Sequence, residues 1–173
     1  MTGFARFVLA GVCLSFAAAP AIAAPTLIGT FKDWSAFQSV SGTTKVCYAL
    51  AKPSSSEPKK AKRDPIYFMI SDWPSRRAKG EVQVVPGYQY KDGSAVTATV
   101  GTDKFDLFSQ NSGGAGSAWV EDAGNERRLV DAMKGGAKVV VSGVSQRGTT
   151  TKDSYALGGI SEALAKVHEA CGM

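Results

Sequence analysis

The sequence predicts a mostly β domain: an antiparallel β-sandwich or barrel-like sheet with two short helices, the C-terminal one docked by a disulfide. Three observations predict it. Apolar and β-branched residues come in short runs of strand length, turn residues separate those runs at close intervals, and only two stretches carry apolar residues at helical spacing.

Taken in order, 34–40 alternates weakly, and 44–50 places Val46, Tyr48 and Leu50 on one face with Cys47 on the other. The continuous apolar run 66–70 reads as a buried strand, and 80–85 as another. Residues 96–100 alternate Val-Thr-Ala-Thr-Val, and 103–108 sets Phe105 and Leu107 opposite Asp106 and Phe108. A short strand at 118–121, the strong run 138–144 and a last strand at 154–157 complete the set. Between them stand Trp73-Pro74, Pro86-Gly87, Lys91-Asp92-Gly93-Ser94, Gly113-Gly114, Gly135-Gly136 and Gly158-Gly159. The first helix is expected over 125–134, with Leu129, Val130 and Met133 inward and the glycine pair as its stop. The second is expected to begin at an N-cap Ser161, with Ile160, Leu164, Val167 and Cys171 on one face.

The first 23 residues read as an export signal. Arg6 supplies a positive start, 7–16 is apolar, Pro20 breaks the helix, and Ala21-Ile22-Ala23 offers the small residues a signal peptidase reads. Cleavage is expected after Ala23, which leaves one domain, 24–173. The apolar run is shorter than the roughly 20 residues that span a bilayer, and no later segment comes closer, so no transmembrane segment is expected. Val12 before Cys13 is not the small residue a lipidation site requires. Cleavage removes Cys13 and leaves Cys47 and Cys171, which in an exported chain read as one disulfide, two free buried thiols being the alternative. The chain-entropy account gives such a long loop roughly 5 kcal/mol at most.

The net charge is +5, and loss of Arg6 leaves +4, with 19 Lys and Arg against 15 Asp and Glu. Much of it lies in Lys59, Lys60, Lys62 and Arg63, within a proline-, serine- and lysine-rich stretch, 52–64, expected as a mobile basic loop. Such a loop is either a solvated surface or a contact for acidic lipid, lipopolysaccharide or another polyanion. No nucleic-acid module is present: the sequence holds no zinc spacing, basic helix or RNA-binding aromatic motif.

A convergent catalytic set is not legible. His168 is the one histidine and falls at the edge of the last helix's apolar stripe. A nucleophile system would need a serine and an acid gathered round it. One histidine and a disulfide leave only carboxylates for a metal, without a calcium-loop pattern, so no metal and no cofactor are expected. Asp103/Asp106 and Glu121/Asp122 are the ordinary surface pairs of strands and turns. Residues 139–159 read as a strand, a polar hairpin and a returning strand, with Arg147 and Asp153 expected to pair across the turn.

This hairpin resembles the C-terminal signature of the invasion-associated locus B family of bacterial envelope proteins, and the likeness extends over nearly the whole mature domain. Trp34 and Val46-Cys47-Tyr48 resemble the family's opening. Residues 80–85 with Gly87-Tyr88 and Gly93-Ser94, then Phe105-Asp106-Leu107-Phe108, Ala118-Trp119 and Ala132-Met133-Lys134-Gly135, resemble its middle. Arg147-Gly148-Thr149, Asp153, Tyr155, Leu157, Gly159, Ala163-Leu164 and Cys171 resemble its end, with Ala156 where the pattern has serine. The resemblance implies an exported domain of α-proteobacteria, periplasmic or associated with the outer membrane, linked by the family's name to invasion of host cells. It transfers no catalytic residue.

The expectation is therefore a non-enzymatic envelope protein that binds an envelope or host protein. Trp73, Arg76 and Arg77 in the Trp-Pro turn, Tyr88 and Tyr90, and the Arg147–Asp153 hairpin are its candidate contacts, because aromatic and arginine side chains carry most interface energy. Trp34 and Trp119 are expected in core or turn packing. A carbohydrate- or lipid-binding module would instead gather Trp73, Tyr88 and Tyr90 in one groove, and a hydrolase of unrecognised type would depend on His168.

Overall fold

The computed structural model describes residues 24–173; the export signal, with Arg6 and Cys13, lies outside the described residues. Eleven strands form one antiparallel sheet: β1 (Thr26–Phe31), β2 (Trp34–Ser41), β3 (Thr44–Ala51), β4 (Ser55–Glu57), β5 (Tyr67–Trp73), β6 (Ala78–Val85), β7 (Val96–Val100), β8 (Asp103–Ser112), β9 (Ala115–Trp119), β10 (Lys138–Val144) and β11 (Thr150–Ala156). Their spatial order is β1-β2-β3-β5-β6-β9-β8-β7-β10-β11-β4. The two ends do not meet, so the sheet is a bent sandwich and not a closed barrel.

The bend runs through β8. Its first half, Asp103–Leu107, pairs with β7, and its second half, Phe108–Ser112, pairs with β9. Each half-sheet presents one face of its alternating strands to the other. Phe68 of β5 meets Trp34 at 6.0 Å and Tyr155 of β11 at 5.4 Å, and the Trp34 indole donates to the Ala156 carbonyl at 3.0 Å. Trp34 is thus the core residue expected of it. Trp119 is not: it alternates with buried Ala118 and so stands on the outer face of β9, half-buried.

The helices plug the sandwich. α1 (Ala123–Gly135) begins at Asp122, whose carboxylate accepts from the Asn125 amide at 2.8 Å, and buries Leu129, Val130 and Met133. α2 (Ile160–Cys171) buries Ile160, Ala163, Leu164, Val167 and Cys171 against β1, β2, β3 and β5. Its N-cap is Gly159 and not Ser161. Gly159 has φ of 86°, and a Cβ there would overlap the Phe31 carbonyl, so packing against the end of β1 starts the helix two residues early. Cys47 and Cys171 are bonded, with Cα atoms 5.8 Å apart.

Segment 52–64 differs from the mobile loop expected of it. Ser54 donates its amide to the Ser154 carbonyl at 2.8 Å, and Ser55–Glu57 pairs with Lys152–Ser154 as an edge strand. Backbone pairing at 54–57 and the buried Arg63 tie the two ends of a stretch whose composition reads as linker, with 58–62 an exposed turn between them.

Candidate functional site

Three clefts and two side-chain pairs, Arg63–Asp153 and His168–Asp72, gather the chemistry. The first surface is a cleft at the hairpin between β10 and β11. The hairpin is closed by hydrogen bonds from the Ser145 amide to the Thr149 carbonyl and from the Gly148 amide to the Ser145 carbonyl. Segment 87–91 runs beside it, the Gln146 amide donating to the Gln89 carbonyl and the Lys91 amide to the Val144 carbonyl. Segment 60–64 closes the third side, where the Asp64 amide donates to the Gly87 carbonyl at 3.0 Å. The open cleft between them is about 760 Å³ and is lined by Lys60, Lys62, Arg63, Tyr88 and Arg147, among others.

Arg147 does not pair with Asp153. Asp153 shares the inward face of β11 with buried Thr151 and Tyr155, whereas Arg147 sits at the exposed hairpin tip. Asp153 is met instead by Arg63, at 2.5 Å, with both side chains almost fully buried (6% and 3% exposed). The Arg63 Nε also donates to the Pro86 carbonyl at 3.0 Å. The guanidinium lies 5.2 Å from the Tyr88 ring centre. The Tyr88 hydroxyl is 2.6 Å from the Thr151 hydroxyl, and burial pushes its pKa above the ordinary tyrosine value.

Tyr90 is not a surface residue. It is 1% exposed, packs edge-on against Tyr88 at 5.3 Å, and is held by both ends of the Asn111 amide. Its backbone bridges to Ser145, which turns the ring inward under the hairpin. Burial drives the Tyr90 and Tyr155 hydroxyls far up from ordinary values, with the Asp153 charge adding to it. Their hydroxyl oxygens, Arg63 Nη1 and Asp153 Oδ1 are buried without a hydrogen-bond partner among the described residues. The groove of Trp73, Tyr88 and Tyr90 that a glycan module would need is therefore not formed.

The second surface is aromatic. The 3-10 turn Pro74–Arg76 folds Arg76 back so that its guanidinium lies 4.5 Å from the Trp73 ring centre, while its Nη2 reaches Glu81 at 3.0 Å. Next to them Phe108 and Trp119, cross-strand partners on β8 and β9, stack at 5.5 Å with their planes 24° apart. Trp73, Arg76, Phe108 and Trp119 share the wall of one open cleft of about 610 Å³ with Gln83 and Gln110. Phe108 is 45% exposed. Sequence reasoning missed Phe108 and Trp119 as surface residues, although the signal for Phe108 was present: it falls on the Asp106 side of an alternating strand.

Arg77 parts from Trp73 and Arg76. With φ of 53° it ends the turn, and its side chain lines a separate cleft of about 480 Å³ beside His168. There His168 Nδ1 lies 2.6 Å from Asp72 Oδ2, and Asp72, fully buried, also accepts from the Gly80 amide at 2.9 Å. Histidine and acid are thus together, but no serine, threonine or cysteine lines that cleft. Among the described residues no group of three His, Cys, Asp or Glu side chains could hold a metal ion.

A family model described as Invasion associated locus B (IalB) protein matches residues 34–168. No curated protein matches the sequence. Among solved structures, invasion associated protein B from Bartonella henselae superposes with a TM-score of 0.60 at 16% identity, over 86% of this chain and all of that one. At that identity the likeness shows a shared fold.

Proposed function

The chain belongs to the invasion associated locus B family, and from that premise we propose that it is an exported, non-enzymatic binding protein of the cell envelope. Cleavage after Ala23 would leave it in the periplasm, at the outer membrane or secreted. The Cys47–Cys171 bond suits an oxidising compartment, and no described helix is long and apolar enough to cross a membrane. The family's description makes invasion of host cells the setting in which its contacts would be used.

The observation that carries the binding role is the aromatic cleft: Phe108, nearly half exposed, stacked on Trp119 beside an arginine-capped Trp73. Large rings that could have been buried are instead held rigid at the surface, where they lose little entropy on contact and can anchor a partner. A protein partner in the envelope or on the host is the first reading. The test compares wild-type protein with Phe108→Ser as bait for envelope extract, read by mass spectrometry. A specific protein recovered by the wild type and lost with the variant supports the reading; the same proteins on both baits overturn it.

A glycan is the second reading, favoured by the stacked, near-parallel rings of Phe108 and Trp119 with the amide side chains of Gln83 and Gln110 on the same wall. Recovery of saccharide alone by the same bait would select it. The hydrolase reading lacks a nucleophile at His168. It would return only if His168→Ala abolished turnover of an envelope substrate.

A further inference from the structure

We propose that the hairpin cleft is a phosphate-binding site, taking a phosphate monoester carried on a lipid headgroup or free in solution. Three segments far apart in sequence build it, and each contributes a cation or fixes one. Lys60, Lys62 and Arg63 come from the segment before β5, and Arg147 from the hairpin tip; Gly87-Tyr88-Gln89 forms the wall between. Gly87 has φ of 72°, and a Cβ there would overlap the Asp64 carbonyl, so the close approach of the two segments depends on glycine.

The charges do not cancel. Arg63 is matched by Asp153, and Asp64 is the one carboxylate on the wall, while Lys60, Lys62 and Arg147 form no ion pair among the described residues. Four cations against two carboxylates leave a surplus of two positive charges. A monoester phosphate at neutral pH carries close to two negative charges and offers three acceptor oxygens. A single carboxylate would leave one cation unmatched. A fork-shaped guanidinium with two ammonium groups around it suits phosphate geometry. The volume, about 760 Å³, falls in the range of small-ligand sites and leaves room for the group that bears the phosphate.

Arg63 gives the site its rigid floor. Its guanidinium is buried, held by Asp153 and the Pro86 carbonyl, and its Nη1 has no hydrogen-bond partner among the described residues. Its charge is matched by Asp153, so the surplus positive charge of the cleft comes from Lys60, Lys62 and Arg147, and Arg63 contributes a fixed anchor for the wall. The site is separate from the aromatic cleft, so it does not depend on the binding role proposed there.

The test uses the disulfide-bonded mature protein, titrated with inorganic phosphate and followed by amide NMR shifts. A second arm measures sedimentation with vesicles of phosphatidylcholine, with or without phosphatidic acid. Shifts are expected at residues 60–64, 87–89 and 145–149. The exposed-site variant Lys62→Gln/Arg147→Gln should weaken binding by at least about tenfold. The charge-matched Lys104→Gln/Lys138→Gln, on distant exposed positions, and Phe108→Ser should each bind as wild type does. Binding of free phosphate assigns a soluble ligand, and binding of phosphatidic acid vesicles alone assigns a lipid headgroup; both support the site. No binding in either arm, or equal loss in the charge-matched variant, overturns it.

Discussion

Asp72 faces Cys47 across the β3–β5 ladder, and both reach the same helix, Cys47 through Cys171 and Asp72 through His168. His168 and Cys171 are three residues apart on α2, so a covalent bond and a 2.6 Å side-chain hydrogen bond fasten neighbouring positions of one helix to neighbouring strands. Lys45, on the inner side of β3, adds a hydrogen bond to the Ala170 carbonyl. The end of the helix is held by three interactions, one disulfide and two hydrogen bonds, within one turn and a half.

Removing the bond should cost stability in the range of about 2–5 kcal/mol, because the linked residues are 124 apart and the unfolded chain gains most from release. Cys47→Ser/Cys171→Ser is expected to lower the urea midpoint without changing the far-UV spectrum. A variant as stable as the wild type would show that the helix is held by packing alone.

The His168–Asp72 pair is expected to behave as a unit. His168→Ala strands a fully buried carboxylate with only the Gly80 amide as donor, at a cost of up to about 3 kcal/mol. Adding Asp72→Asn should recover part of that loss, since the amide oxygen still accepts from Gly80. Strictly additive effects in a double-mutant cycle would refute the coupling.

Arg63 should matter more to stability than any other basic residue of its segment. Arg63→Met leaves Asp153 buried and unpaired, at about 3–5 kcal/mol, and should expose 52–62 to proteolysis. Arg63→Met/Asp153→Leu should restore most of the midpoint. Lys60→Met, at an exposed position, should stay within about 0.5 kcal/mol of wild type.

Glu126 gives a pH dependence of definite sign. Burial, and then the nearby Glu81 charge, hold its carboxyl above the ordinary glutamate value, against the opposing hydrogen bond from the Val82 amide at 2.7 Å. The folded state therefore binds this proton more tightly than the unfolded chain does. The resulting stabilisation is present at acid pH and is lost as pH rises through the ordinary glutamate range and past the raised folded-state value. Glu126→Gln keeps the acceptor for Val82 and should remove that slope. Urea midpoints at acid and neutral pH should show the variant gaining on the wild type as pH rises.

Much of the architecture could be read locally. Alternation in 96–100 marks the residues that the structure buries, because a strand's two faces differ in contact with water at every second position, whereas in 44–50 the buried face is that of Cys47 and Ala49 and not that of Val46, Tyr48 and Leu50. The helix of 125–134 is Ala123–Gly135, and the stripe ending at Cys171 does face Cys47. The strands at Thr26–Phe31 and Ser55–Glu57 escaped notice, since an edge strand needs only one neighbour and little apolar content. Of the candidate contacts, Trp73 and Arg76 lie together as expected, while Tyr90 turned inward and Arg77 and Arg147 went to different clefts.

The sequence by itself determined a disulfide-stapled β domain with two helices, because periodicity, turn chemistry and cysteine count are properties of neighbouring residues and of composition. Only the tertiary structure decided that Asp153 belongs to Arg63, that Asp72 belongs to His168, and that Phe108 and Trp119 face outward as a stacked pair. Those pairings join positions up to 96 residues apart. Strand order and register bring them together, and neither leaves a mark on the local pattern.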